Sequence, residues 1–276
     1  MNRAQRKTQA EETVSILEKG WYLSKDRTEV DIKNEIEKAV KNTKYFKSEE
    51  LENLTQKIKT DSNFNTNISI TNEDSISCII RLSKIEGRKI MCLNFASAKN
   101  PGGGFLNGSL AQEESLASSS ALYVTQNSVF DFYTKHRNMK SGIYSDDMIL
   151  SPDVPVFRSA DGNLLENSVL CNFITSPAVN LGVVKSREAD LVSQVPQIMS
   201  KRIEKMLSIC VDRNYDTLIL GAWGCGVFQN DPSTIAQLFN EQLNTKFKGT
   251  FKDVVFAIYS KKTIFIDAFT DTFDKN

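Results

Sequence analysis

The chain has 276 residues, enough to bury a full-sized core, and carries 34 Lys+Arg against 34 Asp+Glu. A net charge of zero excludes an overall attraction to nucleic acid or to an anionic membrane surface, so an anionic ligand needs a local positive site such as clustered backbone N–H groups. A single histidine, His136, excludes a multi-histidine zinc site and would have to serve any histidine-based triad alone.

His136 lies in the polar stretch Tyr133-Thr-Lys-His-Arg-Asn138 and reads as a solvated loop residue. The five cysteines, Cys78, Cys92, Cys171, Cys210 and Cys225, are scattered with no CxxC pair, which suits reduced intracellular thiols better than a disulfide framework. Met1 to Glu12 is polar rather than leader-like, and no apolar run approaches the length of a membrane span. A soluble, monomeric, cytoplasmic protein is expected, with the nucleus left open. No metal, cofactor or membrane partner is expected, and no strong nucleic-acid signal is present.

In chain order, residues 1–60 are rich in charge, lack proline and show helix-period apolar positions such as Val14, Leu17, Ile32, Ile36, Ala39 and Val40. They predict two or three amphipathic helices packed on a main domain over 61–276. Asn67-Ile-Ser-Ile-Thr71 alternates as a strand and runs into Asn-Glu-Asp-Ser75, a helix-start signal, after which Ile76, Ile79, Ile80 and Leu82 form one helical face. Lys89–Asn94 and Ser168–Ile174 read as further strands, and a long helix is expected from Glu188 to Asp212. Asp216–Leu220 reads as a buried strand, a helix follows from Pro232, and Asp253–Ile258 is the last apolar strand. Continuous apolar strands with helices between them predict an α/β sheet covered on both faces, with ligands beyond the carboxyl ends of the strands.

Two loops carry the chemistry. The first leaves the strand at Leu93 and runs through Gly102-Gly-Gly104 to Gln112-Glu-Glu114. Glycine lets backbone approach a ligand closely or adopt positive φ, although a glycine triplet taken alone reads first as a flexible turn. Glu113 and Glu114 fall at the first turn of an amphipathic run, Leu116 to Leu122. Two acids there are ordinarily dipole partners; behind a glycine loop able to hold a sugar they become candidates for acid–base work on an acetal. Their proximity raises at least one pKa while the helix terminus pulls the other way, and the residues alone leave that contest open. The second loop, Gly221-Ala-Trp-Gly-Cys-Gly-Val-Phe-Gln-Asn-Asp-Pro232, also joins a strand to a helix. Such turns cradle phosphates with backbone N–H groups and the helix dipole. This one lacks the Gly-Lys-Ser/Thr ending and the dinucleotide spacing, and brings no Lys or Arg, so it suits a diphosphate held in place without reacting. A tight turn that packs Trp223 and Phe228 is the plainer alternative.

The spacing of Gly102–Gly104, seven residues, then Gln112-Glu113-Glu114 resembles the microbial-type poly(ADP-ribose) glycohydrolases. The likeness extends to Leu93-Asn-Phe-Ala-Ser-Ala98, Ser118-Ser-Ser-Ala-Leu-Tyr123, Ser151-Pro-Asp-Val-Pro-Val-Phe-Arg158 and Gly221–Phe228, and so covers nearly the whole chain. The chain departs from that pattern at Ala117-Ser118, where a Cys-Arg pair is usual, and at the turn Ser176-Pro-Ala-Val-Asn180. The first departure bears on how a longer polymer is gripped.

The resemblance implies a macrodomain-like mixed β-sheet flanked by helices, with an N-terminal helical extension. It implies a hydrolase of ribose–ribose O-glycosidic bonds in poly(ADP-ribose), with a non-catalytic ADP-ribose reader or a hydrolase of mono-ADP-ribosylated protein as the alternatives. Glu114 is then the general acid and Glu113 the holder of ribose hydroxyls, with Gln112 in the same substrate-binding motif. Gly102, Gly103 and Gly104 would clamp the diphosphate from one side, and Gly224, Cys225, Gly226, Val227 and Phe228 from the other, with Phe228 walling the adjoining ribose. Ser97 and Asn100 are implied ribose contacts, and by position Tyr259 would stack on adenine while Glu73 accepts from its amino group.

Overall fold

A computed structural model describes residues 1–274. In chain order the elements are α1 (Arg3–Lys19), β1 (Trp21–Leu23), β2 (Glu29–Asp31), α2 (Lys33–Asn42), β3 (Lys44–Phe46), α3 (Ser48–Lys57), β4 (Asn67–Thr71), α4 (Ser75–Leu82) and β5 (Ile90–Phe95). There follow α5 (Gln112–Ser119), α6 (Leu122–Ser128), α7 (Asp131–Asn138), β6 (Met148–Arg158), β7 (Leu164–Ser176), α8 (Leu181–Arg187) and α9 (Val195–Asp212). The chain continues with β8 (Thr217–Leu220), α10 (Pro232–Asn244), β9 (Asp253–Ala257) and α11 (Ile264–Phe273).

The central sheet has seven strands in the order β3-β6-β7-β5-β8-β9-β4. The run from β7 to β4 is parallel throughout, and β6 is antiparallel to both of its neighbours. Alternation along the parallel strands sends successive side chains to opposite faces, as the two-residue period of a strand requires. Met91, Leu93, Leu218, Leu220, Val254 and Phe256 enter one core with α9 and α10, whereas Cys92, Ile219 and Val255 enter a second core with α2, α4 and α5. The expected α/β sheet, mixed in strand direction and flanked by helices, is what folds.

Local signals set many of the boundaries. Asp74 caps α4 by accepting from Ser77 N, and Asp231 caps α10 by accepting from Thr234 N ahead of Pro232. The helix expected over 188–212 begins only at Val195; residues 189–194 form a 3₁₀ turn. Pro196 is the reason, because a missing N–H costs nothing in a first turn and breaks a helix further in.

Two expectations need correction, and one strand was not foreseen. The segment 1–60 supplies the three helices α1–α3 but also β1, β2 and β3, and β3 forms one edge of the central sheet against β6. Strands of three residues are too short to show a period. Residues 275–276, the end of the main domain expected over 61–276, lie outside the described residues. Strand β6 was not foreseen because Pro152 and Pro155 interrupt it; a register shift between Ser151 and Val154, with Asp153 at positive φ, absorbs the break as a bulge. His136 is fully buried on α7, not solvated: its Nδ1 lies 2.9 Å from Phe132 O and its Nε2 2.9 Å from Ser145 Oγ. Burial lowers its pKa. The ring fills a helix–loop seam that local polarity gave no hint of.

Buried ion pairing fastens the helical layer to the rim of the sheet. Arg202 on α9, fully buried, donates to Asp146 Oδ1 at 2.9 Å, Pro177 O at 2.8 Å and Ile143 O at 3.1 Å. Removing one partner of such a group strands the others without water. Arg202→Met should therefore cost about 3 kcal/mol of unfolding free energy in chemical denaturation; a loss no larger than that of an ordinary surface substitution would refute this role.

Candidate active site

All five parallel strands end on one rim, so the loops that follow β5, β7, β8 and β9 gather there. Because β5 and β8 are neighbours, the tri-glycine turn and the tryptophan turn lie at the same end of the sheet. Trp223, fully buried, donates from Nε1 to Ser176 O at 3.1 Å and so ties the second turn to the end of β7.

The carboxylate pair stands at the start of α5, as its position in the sequence predicts. Gln112 sews that helix to β5: its Oε1 accepts from Phe95 N at 2.9 Å, and its Nε2 donates to Leu93 O at 2.8 Å and Ser75 Oγ at 3.1 Å. Expected in the substrate-binding motif, Gln112 commits its amide to the protein. Glu113 is 3% exposed and does not line the cavity described below. Its carboxyl accepts from Asn94 Nδ2 at 3.0 Å, Gln126 Nε2 at 3.0 Å and Ser97 N at 2.6 Å. Burial pushes its pKa up to about 8, against the pull of those three donors, and the neighbouring charge of Glu114 adds to the rise. The contest left open by the sequence is decided by desolvation. Glu114 is half-buried and accepts at Oε1 from Gly104 N at 2.9 Å. Its other oxygen takes no hydrogen bond among the described residues.

Gly103 sits against both acids at φ +60°; a Cβ there would overlap Glu114 Oε1 and lie 3.1 Å from Glu113 Oε2. The three amides of the tri-glycine turn, expected to clamp the diphosphate from one side, are engaged within the protein: Gly102 N on Gln126 Oε1 at 2.7 Å, Gly103 N on Asn100 O at 3.0 Å and Gly104 N on Glu114 Oε1. The turn aims the carboxyl of Glu114. Helix α1 braces it from outside, with Arg3 Nε on Asn107 O at 3.0 Å and Arg6 Nε on Gly108 O at 2.9 Å, while Ala10 packs with Phe105 and Ala117.

Glu114 opens into a cavity of about 480 Å³, which Ser97, Asn100, Gly103 and Gly104 also line. Its far wall was not foreseen: Tyr123 and Asn127 come from α6, Phe130 from the α6–α7 turn and Arg137 from α7. They follow Glu114 by 9 to 23 residues, and beyond Tyr123 no motif marks them. Among the described residues no group of His, Cys, Asp or Glu is placed to hold a metal ion.

The tryptophan turn has the opposite economy. Gly226 N, Val227 N and Phe228 N meet no acceptor among the described residues, and Val227 is 82% exposed. Successive amides without acceptors are the kind of group that can receive an anion. The helix dipole expected to assist them is already engaged, because Asp231 occupies the N-cap of α10 and Pro232 has no N–H. Gly224, at φ +76°, lies against Ala178 and Asn230, and Asn230 Nδ2 closes the turn on Val179 O at 2.8 Å and Gly224 O at 3.0 Å. Cys225 is buried, and Phe228 faces Tyr144 at 6.1 Å between ring centroids. None of the residues 224–228 lines the cavity at Glu114. Tyr259 and Glu73 each stand two residues beyond the paired Ala257 and Thr71, so they share the far end of the rim. Tyr259 is 76% exposed, whereas the Glu73 carboxyl is half-buried and paired with Arg81.

A family model for the microbial-type PARG catalytic domain matches residues 10–159. No curated protein matches the chain. Among solved structures, the poly(ADP-ribose) glycohydrolase of Thermomonospora curvata is 38% identical with a TM-score of 0.94, over 98% of this chain and 100% of that one. The same enzyme bound to the inhibitor ADP-HPD superposes with a TM-score of 0.92 at the same identity and coverage. The poly(ADP-ribose) glycohydrolase of Deinococcus radiodurans in complex with ADP-ribose is 36% identical with a TM-score of 0.83, over 87% of this chain and 97% of that one.

Two measurements test the geometry. Gly103→Ala should cost about 1–3 kcal/mol of stability from its backbone conformation and displace Glu114, whereas Gly226→Ala, which meets open space, should cost less than about 0.5 kcal/mol. Equal losses in denaturant would contradict the close approach. For Glu113, the folded chain keeps a proton between its ordinary pKa of 4.5 and about 8 that the unfolded chain has lost, so stability falls as pH rises through that window. Glu113→Gln has no such proton, and its melting temperature relative to the unsubstituted chain should climb from the acid to the alkaline end of that window. A constant offset would count against the burial argument.

Proposed function

The chain belongs to the microbial-type poly(ADP-ribose) glycohydrolases, and from that premise we propose how its residues divide the work. It hydrolyses the ribose–ribose O-glycosidic bonds of poly(ADP-ribose), acting from the chain end and releasing ADP-ribose. The observation that carries the assignment of roles is the carboxyl of Glu114, half-buried in the cavity wall and held by Gly104 N at 2.9 Å. One oxygen is fixed by the backbone and the other is left for the reacting sugar. Glu114 is then the general acid that protonates the leaving oxygen. Glu113 works from behind, holding Ser97 N and Gln126 so that the tri-glycine turn and α5 keep their register.

The diphosphate of the terminal unit lies on the amides of Gly226, Val227 and Phe228. Phe228 and Tyr144 wall the ribose, and Tyr259 and Glu73 receive the adenine at the far end of the rim. Phosphates placed beside the terminal ribose stabilise a developing oxocarbenium centre electrostatically. Ser97 and Asn100, which line the cavity beside Glu114, meet the ribose at the scissile bond. The same reading takes the fold as a macrodomain and the protein as an intracellular monomer; five free, buried cysteines support the reducing compartment.

Glu114→Gln should lower release of ADP-ribose from poly(ADP-ribose) by roughly 10²–10⁴-fold while calorimetry still records ADP-ribose binding. Intact polymer after incubation with the unsubstituted, folded chain would refute hydrolysis and leave a binding protein. Undiminished release by the variant would move the acid elsewhere.

A further inference from the structure

The cavity at Glu114 is lined by none of the residues 224–228 whose amides are assigned to the terminal diphosphate, and the one cation that lines it is Arg137. This side chain makes no ion pair among the described residues. It is nevertheless held: Nε donates to Lys99 O at 2.7 Å, Nη2 reaches Asn100 Oδ1 at 3.4 Å, and the guanidinium lies 4.9 Å from the centroid of the Phe130 ring. Those bonds engage two of the five N–H donors of a guanidinium. Its helix is firmly seated, since His136 beside it is buried with both ring nitrogens engaged and Lys135 pairs with Asp147 at 2.7 Å.

An arginine that only completed the C-terminal dipole of α7 would need neither the cavity nor the aromatic face beneath it. A guanidinium pre-set in a half-apolar cavity and short of an acid is a ready partner for a phosphate, which it can meet with paired N–H bonds. Given the reading above, a cavity that holds the acid but not the turn for the terminal diphosphate takes the departing side of the substrate: beyond the scissile bond the polymer continues through a ribose to another pyrophosphate.

We propose that Arg137, backed by Phe130, forms a subsite for the leaving group's pyrophosphate and so sets a preference for polymer over ADP-ribose attached to an uncharged group. The proposal rests on the hydrolase reading, and the test separates the two. Steady-state kinetics on poly(ADP-ribose) and calorimetry with free ADP-ribose are compared for the unsubstituted chain, Arg137→Ala and Arg137→Lys. In Arg137→Ala the KM for polymer should rise roughly tenfold, the loss of a charge-assisted contact, with kcat and the ADP-ribose Kd unchanged. Arg137→Lys should recover part of the loss, and KM should depend less steeply on salt in Arg137→Ala than in the unsubstituted chain. An unchanged KM would overturn the subsite while leaving the hydrolase intact. A parallel loss of ADP-ribose affinity or of kcat would overturn it too, assigning Arg137 to the retained unit or to support of the Lys99–Asn100 loop. No release of ADP-ribose by the unsubstituted chain would remove the hydrolase reading, and the subsite with it.

Discussion

A carboxyl group buried against three N–H donors organises this site. Glu113 joins four parts of the molecule that are otherwise independent: Asn94 at the end of β5, Ser97 in the loop beyond it, α5 that carries the glutamate, and Gln126 on α6. Gln126 passes the constraint on, because its Oε1 accepts from Gly102 N while its Nε2 serves both Glu113 and Thr175. Burying an ionisable group is costly unless its neighbours answer it, so a shift of any one element leaves polar atoms stranded. The rise of its pKa to about 8 is the residue of that contest.

From this network follows a division of labour between two turns that look alike in composition. Both are glycine-rich and both leave parallel strands. In the tri-glycine turn the amides point inward and are used up on Gln126, Asn100 and Glu114, so its flexibility serves close packing over two carboxylates. In the tryptophan turn a buried indole and Asn230 anchor the ends, and the amides from Gly226 to Phe228 have no acceptor among the described residues. One turn aims an acid and the other offers positive potential without a single basic side chain.

The N-terminal segment is drawn into the same arrangement. Arg3 and Arg6 of α1 hold carbonyls of the loop between the glycines and Gln112, and β3 completes the edge of the sheet. A segment that reads as a separate helical layer thus steadies the turn that orients Glu114, while α7 on the other side presents Arg137 to the same cavity.

What could be read from the chain alone was whatever rests on neighbours in sequence. Alternation marked β4, apolar runs marked β5, β8 and β9, Asp231-Pro232 marked the start of α10, and the run from Gly102 to Glu114 carried the resemblance that led to the family. These signals act over a few residues, where backbone sterics and capping bonds decide. Tertiary structure alone decided which glycine amides were free, whether desolvation or the helix terminus ruled Glu113, and which residues closed the cavity opposite Glu114. Gln126, Phe130 and Arg137 have no local pattern because their roles arise from contacts with Gly102, Lys99 and one another across the folded chain. His136 shows the same limit: a polar stretch of sequence was folded inward by partners that its neighbours in the chain do not announce.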